Sequence, residues 1–227
     1  MQTLDLQALG LRAINEQLNQ ADIANTETNW QITNPLGQHA IACGLQSEIQ
    51  VDVMGHAGFY CAGMNQLASV TVHGHVGVGV AENMMSGQVR VKGNASQSAG
   101  ATAHGGLLVI EGDASSRCGI SMKGVDIVVG GSVGHMSAFM AQAGTLVVCG
   151  DADEALGDSI YEAKIFVQGK ADQLGTDCIE KEMSKEHLEH LAALLERSEI
   201  NADAARFRRY GSARKLYNFD IDHADAY

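Results

Sequence analysis

Basic side chains are scarce in this sequence: 15 Lys and Arg stand against 27 Asp and Glu, for a net charge of −12. A surface of that sign repels a phosphate backbone and the anionic face of a membrane, which argues against nucleic-acid and membrane partners. Long apolar runs are missing as well. Stretches such as Gly106 to Ile110 break within a few residues, well short of the ~20 that a membrane helix needs. The cysteines, Cys43, Cys61, Cys118, Cys149 and Cys178, are odd in number and form no CxxC pair, and no basic segment leads into an apolar run near Asp5. That usage reads as a reducing, cytoplasmic setting. Proline is reduced to Pro35 and aromatics to 5%, yet 45% of the 227 residues are apolar, enough for one or two packed domains.

Glycine is abundant instead, with 26 copies, although it weakens helix and strand interiors unless special backbone angles recur. They recur at a fixed interval: Gly55, Gly74, Gly93, Gly112, Gly131, Gly150 and Gly169 follow one another every 19 residues. Two residues before them lie Val53, Val72, Val91, Ile110, Val129, Val148 and Val167, and the positions four before are aliphatic too, from Val51 to Ile165. The residue after each glycine is polar, and the next is Ala or Val.

Alternating aliphatic positions mark a strand with one buried face, and the closing glycine marks a corner where a β-carbon would obstruct the chain. A unit of this length cannot bury its own apolar face, but stacked copies place each aliphatic column on itself and build one continuous core. The expected fold is an all-β core, a right-handed parallel β-helix of about seven rungs and on the order of 34 Å long at the spacing of paired strands. Propeller blades, leucine-rich repeats and hexapeptide helices need periods or ladders that this chain does not carry. Open strand edges at both ends call for caps. Leu11, Ile14 and Leu18 mark an amphipathic helix before the rungs, and Leu188, Leu191 and Leu195 mark another after them. The organisation is thus a helical or irregular cap over 1–44, the β-helix over 45–179, and a helical cap with a basic, aromatic-containing tail over 180–227.

Few residues suggest chemistry. The run Gly74-His-Val-Gly77-Val-Gly79 lacks the GxGxxG spacing of a dinucleotide loop, and Gly74 already belongs to the corner series. His56 and His75 occupy the same place on adjacent rungs, but Asn94 follows them and no third metal ligand is evident, so the column reads as an outward polar ladder. Cys61 and Cys118 share a core offset, too far apart for a disulfide, and Cys149 points outward with no His/Asn set beside it. Asp151, Asp153 and Glu154 read as a solvated acidic turn. The segment from Arg206 to Lys215 differs, with Arg206, Arg208, Arg209, Arg214 and Lys215 and no acid among ten residues. Those bases suit an acidic partner surface or a phosphate, or else the protein's own acidic rod.

The units Val70-Thr-Val-His-Gly74 and Leu108-Val-Ile-Glu-Gly112, with inner glycines at 87, 106, 124 and 144, resemble the GXGXG family. That family includes the C-terminal right-handed β-helix of the glutamate synthase large subunit and a β-helical component of formylmethanofuran dehydrogenase. Gly55-His-Ala-Gly-Phe-Tyr-Cys-Ala-Gly-Met-Asn65, Val78 to Gly87, Asn94 to Gly106 and Arg209-Tyr-Gly-Ser-Ala-Arg-Lys-Leu-Tyr217 are similar to the stand-alone GXGXG subunit of N-methylglutamate synthase, also called methylamine–glutamate N-methyltransferase.

The resemblance implies a heteromeric complex with a class II glutamine-amidotransferase-like subunit and an FMN-binding barrel subunit of the glutamate synthase type. The complex would join methylamine to glutamate, giving N-methylglutamate and ammonia. It places FMN, with an iron–sulfur cluster as a candidate second group, on the partner, and no cofactor, metal or catalytic residue on this chain. It makes a flavin phosphate a candidate contact for the basic tail. Residue 2 is Gln2, not a nucleophilic cysteine, and there is no room for a barrel of ~250 residues, so this chain reads as the scaffold. The alternatives are the scaffold of another GXGXG complex, or a self-sufficient β-helix enzyme, which the low aromatic content disfavours.

Overall fold

The computed structural model describes residues 1–24 and 28–214. The repeats form the strands β3 (Gln50–Val53), β4 (Ser69–Val72), β5 (Gln88–Val91), β6 (Leu107–Ile110), β7 (Lys123–Val129), β8 (Ala143–Val148) and β9 (Lys164–Val167), which follow β1 (Gln2–Asp5) and β2 (Asn29–Thr33). All neighbours from β1 to β9 pair in parallel, with Val51 opposite Val70 and Val70 opposite Val89. The register preserves the 19-residue period, so each inward aliphatic lies on its equivalent. Val53, Val72, Val91, Ile110, Val129, Val148 and Val167 are all fully buried. A second line of contact follows the corners, where Ala57, Val76, Ala95, Ala114, Val133 and Ala152 bridge from rung to rung.

The return path of each rung uses left-handed backbone at every second residue, as at Tyr60, Ala62 and Met64 (φ +60°, +53° and +56°). Such angles cost a residue with a β-carbon roughly 1–2 kcal/mol each. Bonds to both neighbouring rungs offset that cost: the Tyr60 N–H donates to the Val78 carbonyl at 2.8 Å, Ala62 to Ile41 at 2.9 Å and Met64 to Glu82 at 2.8 Å.

Both ends are closed. After β1 come two helices, α1 (Leu6–Leu9) and α2 (Leu11–Ala24), and α2 buries Ile14 and Leu18 against the first turn. The Asn15 side chain of α2 stands in for a missing rung, donating to the Ala40 carbonyl at 2.8 Å and accepting the Ala42 N–H at 2.9 Å. At the other end β10 (Cys178–Lys181) is followed by α3 (Lys185–Arg197), a 3-10 turn (Ala204–Arg206) and β11 (Arg208–Ser212). β11 lies antiparallel on β9, and β10 lies antiparallel on β11, so the parallel stack is not left open.

A second core lies outside the rod. Val109, Val128, Val147 and Phe166 face outward from β6 to β9 and are covered by Leu191, Leu194 and Leu195 of α3 together with Phe207. The same column is polar on the earlier rungs, where it holds Asp52, Thr71 and Arg90. Arg90 marks the boundary. Its buried guanidinium donates to the Ser198 carbonyl at 2.9 Å and to Glu111 at 3.0 Å, tying the end of α3 to the rod.

Candidate functional site

The polar column beside the corner glycines is a continuous ladder. His56 Nδ1 accepts the His75 N–H at 2.9 Å, His75 Nδ1 accepts the Asn94 N–H at 2.8 Å, and Asn94 Oδ1 accepts the Asp113 N–H at 3.0 Å. Asp113, Ser132 and Asp151 carry it on to the Lys170 N–H, with links of 2.8, 3.0 and 2.7 Å. The two imidazoles stack with centroids 5.0 Å apart, and both accept through Nδ1, which places the proton of a neutral ring on Nε2. Among the described residues no three His, Cys, Asp or Glu converge as a metal site.

The ladder atoms also explain the glycines. A β-carbon on Gly74 would come within 2.8 Å of His56 Nδ1, and one on Gly93 within 2.6 Å of His75 Nδ1. Gly112, Gly131 and Gly169 face Asn94, Asp113 and Asp151 still more closely, and Gly150 faces Ser132 Oγ at 2.5 Å. Gly55, at the start of the series, lies against Pro35 and has φ +144°.

Burial raises every cysteine thiol, to about 12 for Cys61 and Cys118 and to about 11 for Cys43, Cys149 and Cys178. Thiols held this high are neutral near pH 7 and poor nucleophiles. Cys149 is half-buried and packs on the second core.

The basic segment is largely engaged within the chain. Arg208 donates to the Gly169 carbonyl at 3.1 Å, lies 3.7 Å from a Glu180 oxygen, and has its guanidinium 5.8 Å from the centroid of Tyr210. Arg209 donates to the Glu182 carbonyl at 2.8 Å, and Arg214 pairs with Asp177. Arg206 is exposed on the 3-10 turn. Lys215 lies outside the described residues.

One open groove of about 450 Å³ runs along the inner-glycine column, with Gly87, Gly106 and Gly124 in its floor and Gln88, Asp126 and Arg197 on its walls. A β-carbon on Gly106 would meet the Gly87 carbonyl at 2.6 Å, so these glycines too allow rung to lie on rung. Arg197 and Asp126 pair across the groove at 2.8 Å. The period locates this column, but the groove itself depends on where α3 ends. No described helix is long and apolar enough to cross a membrane.

A parallel stack cornered by glycine, laddered along one edge and capped at both ends defines a β-helix protein whose repeat fits the GXGXG type. No family model matches the chain. Protein GlxC of Rhizobium meliloti (strain 1021) is 58% identical to it over 228 residues, covering the whole of both chains. The chain belongs to the GlxC family.

Proposed function

We propose that this chain is a non-catalytic scaffold subunit of a glutamate-synthase-like, FMN-dependent complex that forms N-methylglutamate from methylamine and glutamate. In this reading it holds a class II glutamine-amidotransferase-like subunit and an FMN-binding barrel subunit in register. The observation that carries the scaffold role is the use of the repeated positions: inward side chains fill the core, ladder side chains bond the next rung, and α3 covers the outer face of β6 to β9. The specific reaction rests on the resemblance of the motifs from Gly55 to Asn65 and from Arg209 to Tyr217.

FMN, and the candidate iron–sulfur cluster, belong to the partner in this reading. The engaged state of Arg208, Arg209 and Arg214 favours that assignment, since they assemble no preformed phosphate cradle. Arg206, Arg208, Arg209, Arg214 and Lys215 remain the candidate contacts to a partner or a flavin phosphate, with exposed Arg206 the most available of the described four.

The test is a native pull-down of the tagged chain from its own cells grown on methylamine. Co-purification of a flavin-bearing chain and an amidotransferase-like chain, with methylamine-dependent turnover by the whole assembly, supports the proposal. A chain that elutes alone and colourless refutes it. Retention with ammonia-dependent turnover in place of methylamine would move the chain to another GXGXG complex.

A further inference from the structure

Between Arg12 and Arg90 the sequence contains no Lys or Arg, while the acids Glu16, Asp22, Glu48, Asp52 and Glu82 fall within the described part of that stretch. The rod is therefore electrically lopsided. Its first rungs present acids without Lys or Arg, although Asp52 pairs with His73 at 2.6 Å, and nearly all its Lys and Arg lie on the later rungs and the C-terminal cap.

The same half exposes large apolar side chains. Phe59 is 55% exposed, Met64 46%, Leu67 48% and Met85 48%, whereas Met140 is the main equivalent on the later rungs. Met64, Leu67 and Met85 are neighbours by register. Met64 and Leu67 leave one rung at the corner where Met85 leaves the next, and the Met85 N–H donates to the Asn65 carbonyl at 2.8 Å. Leu67 and Met85 each lie two residues before groove-lining Ser69 and Gly87. Phe59 stacks on His39 with centroids 4.6 Å apart, which fixes its ring while leaving it exposed. Contiguous apolar surface with flexible methionines is suited to docking another protein.

We infer that the corner formed by Met64, Leu67 and Met85 is a docking surface for a partner protein whose contact face carries Lys or Arg around an apolar centre. The charge argument selects this occupant. A surface free of Lys and Arg that bears Glu48 and Glu82 attracts a basic face and repels an acidic one, and complementary charge sets specificity and association rate more than affinity. The apolar centre supplies the contact that excludes water. The inference rests on the reading of this chain as a subunit of an assembly, but not on the reaction which that assembly performs.

The test compares the tagged wild-type chain with Met64→Glu/Met85→Glu and with Met140→Glu, each purified from its own cells after circular dichroism has verified the fold. Met140 holds the left-handed position equivalent to Met64 on a later rung, at φ +56° for Met64 and +52° for Met140, and serves as the control. The expected result is at least a tenfold loss of one co-purifying chain in the double variant and its retention in Met140→Glu. In the wild-type complex, carboxylate-to-lysine cross-links from that chain should map to Glu48 or Glu82. Equal retention by all three proteins, cross-links confined to the later rungs, or a wild-type self-dimer that the double variant abolishes would overturn the inference. Flavin-bearing and amidotransferase-like chains that co-purify regardless of the double variant would sink this docking surface and leave the proposed reaction standing. Where the wild-type chain brings down no flavin-bearing or amidotransferase-like chain, loss of a lysine-cross-linked chain of another kind in the double variant would support the surface and refute the proposed reaction.

Discussion

The side-chain oxygen of Asn94 occupies the space into which a β-carbon on Gly112 would project, while it accepts the Asp113 N–H at 3.0 Å. One atom thus requires the glycine above it and bonds the backbone beyond it. Corner and ladder are one device, repeated along the rod.

A double-mutant cycle reads that coupling. Gly112→Ala alone should destabilise by about 1–3 kcal/mol through overpacking. Asn94→Ala alone should cost about 0.5–1.5 kcal/mol for the lost hydrogen bond. The double variant should cost less than their sum, because removing the Asn94 side chain makes room for the new methyl group, with a coupling of about 0.5 kcal/mol or more. Thermal melts of the four proteins measure it, and strict additivity would count against a shared space.

Asn15 is the second test. It satisfies the Ala42 N–H and the Ala40 carbonyl where no earlier rung exists to do so. Asn15→Ala should destabilise by about 1–3 kcal/mol and speed hydrogen exchange at the Ala42 amide, with little change at Val148 in the far core. Unaltered exchange at Ala42 would mean that α2 caps by packing alone.

The α3 cap carries a pH dependence. Ser184 Oγ accepts the His187 N–H, and the Ser184 N–H donates to His187 Nδ1 at 3.3 Å, which requires an unprotonated Nδ1. Burial, then the nearby charges of Arg209 and Lys164, push His187 below its ordinary 6.5. The folded chain therefore resists a proton that the unfolded chain accepts. The stabilisation is complete above about 6.5 and is lost as the pH falls from there through the lower folded value. His187→Gln keeps a capping side chain and should flatten that part of the stability–pH curve; an unchanged curve would argue against His187 as its source.

Glu111 works further into acid. Burial raises its carboxyl, but hydrogen bonds and charge from Lys92 and Arg90 outweigh that and hold it below 4.5. Its stabilisation is present above 4.5 and is lost as the pH falls through the lower folded value. Glu111→Gln should leave Arg90 poorly compensated, loosen the end of α3 at neutral pH and remove this acid-sensitive component. Comparison of melts at neutral and acid pH with the parent would reveal it.

Much of the rod is legible in the sequence because stacking forces equivalent positions into equivalent surroundings. Val53, Val72 and their successors share one burial, and Leu11 and Leu191 reveal the helices that flank them. Strand β2 escapes the period because Trp30 pairs with Val51 across 21 residues, two more than a standard rung, and β1 pairs only after α2 has intervened. The left-handed segments are equally hard to read, since Tyr60 and Met64 adopt angles that their side chains disfavour and that only neighbouring rungs stabilise. The polar ladder is legible as a column, but its bonding is not. The available signal is the residue set itself: His, Asn, Asp and Ser each offer an acceptor close to the backbone, whereas Lys170 at the end of the series offers none.

That final lysine ends the ladder. Every link runs from an acceptor on one rung to an amide on the next, so a rung ending in lysine can receive a link but cannot pass one on. Length in such a protein is counted in whole units, because each rung adds one strand and one ladder link. Adding or deleting one internal unit would move the two ends by about 4.8 Å and leave each cap seated on its own rung, so the rod can change length only in discrete steps.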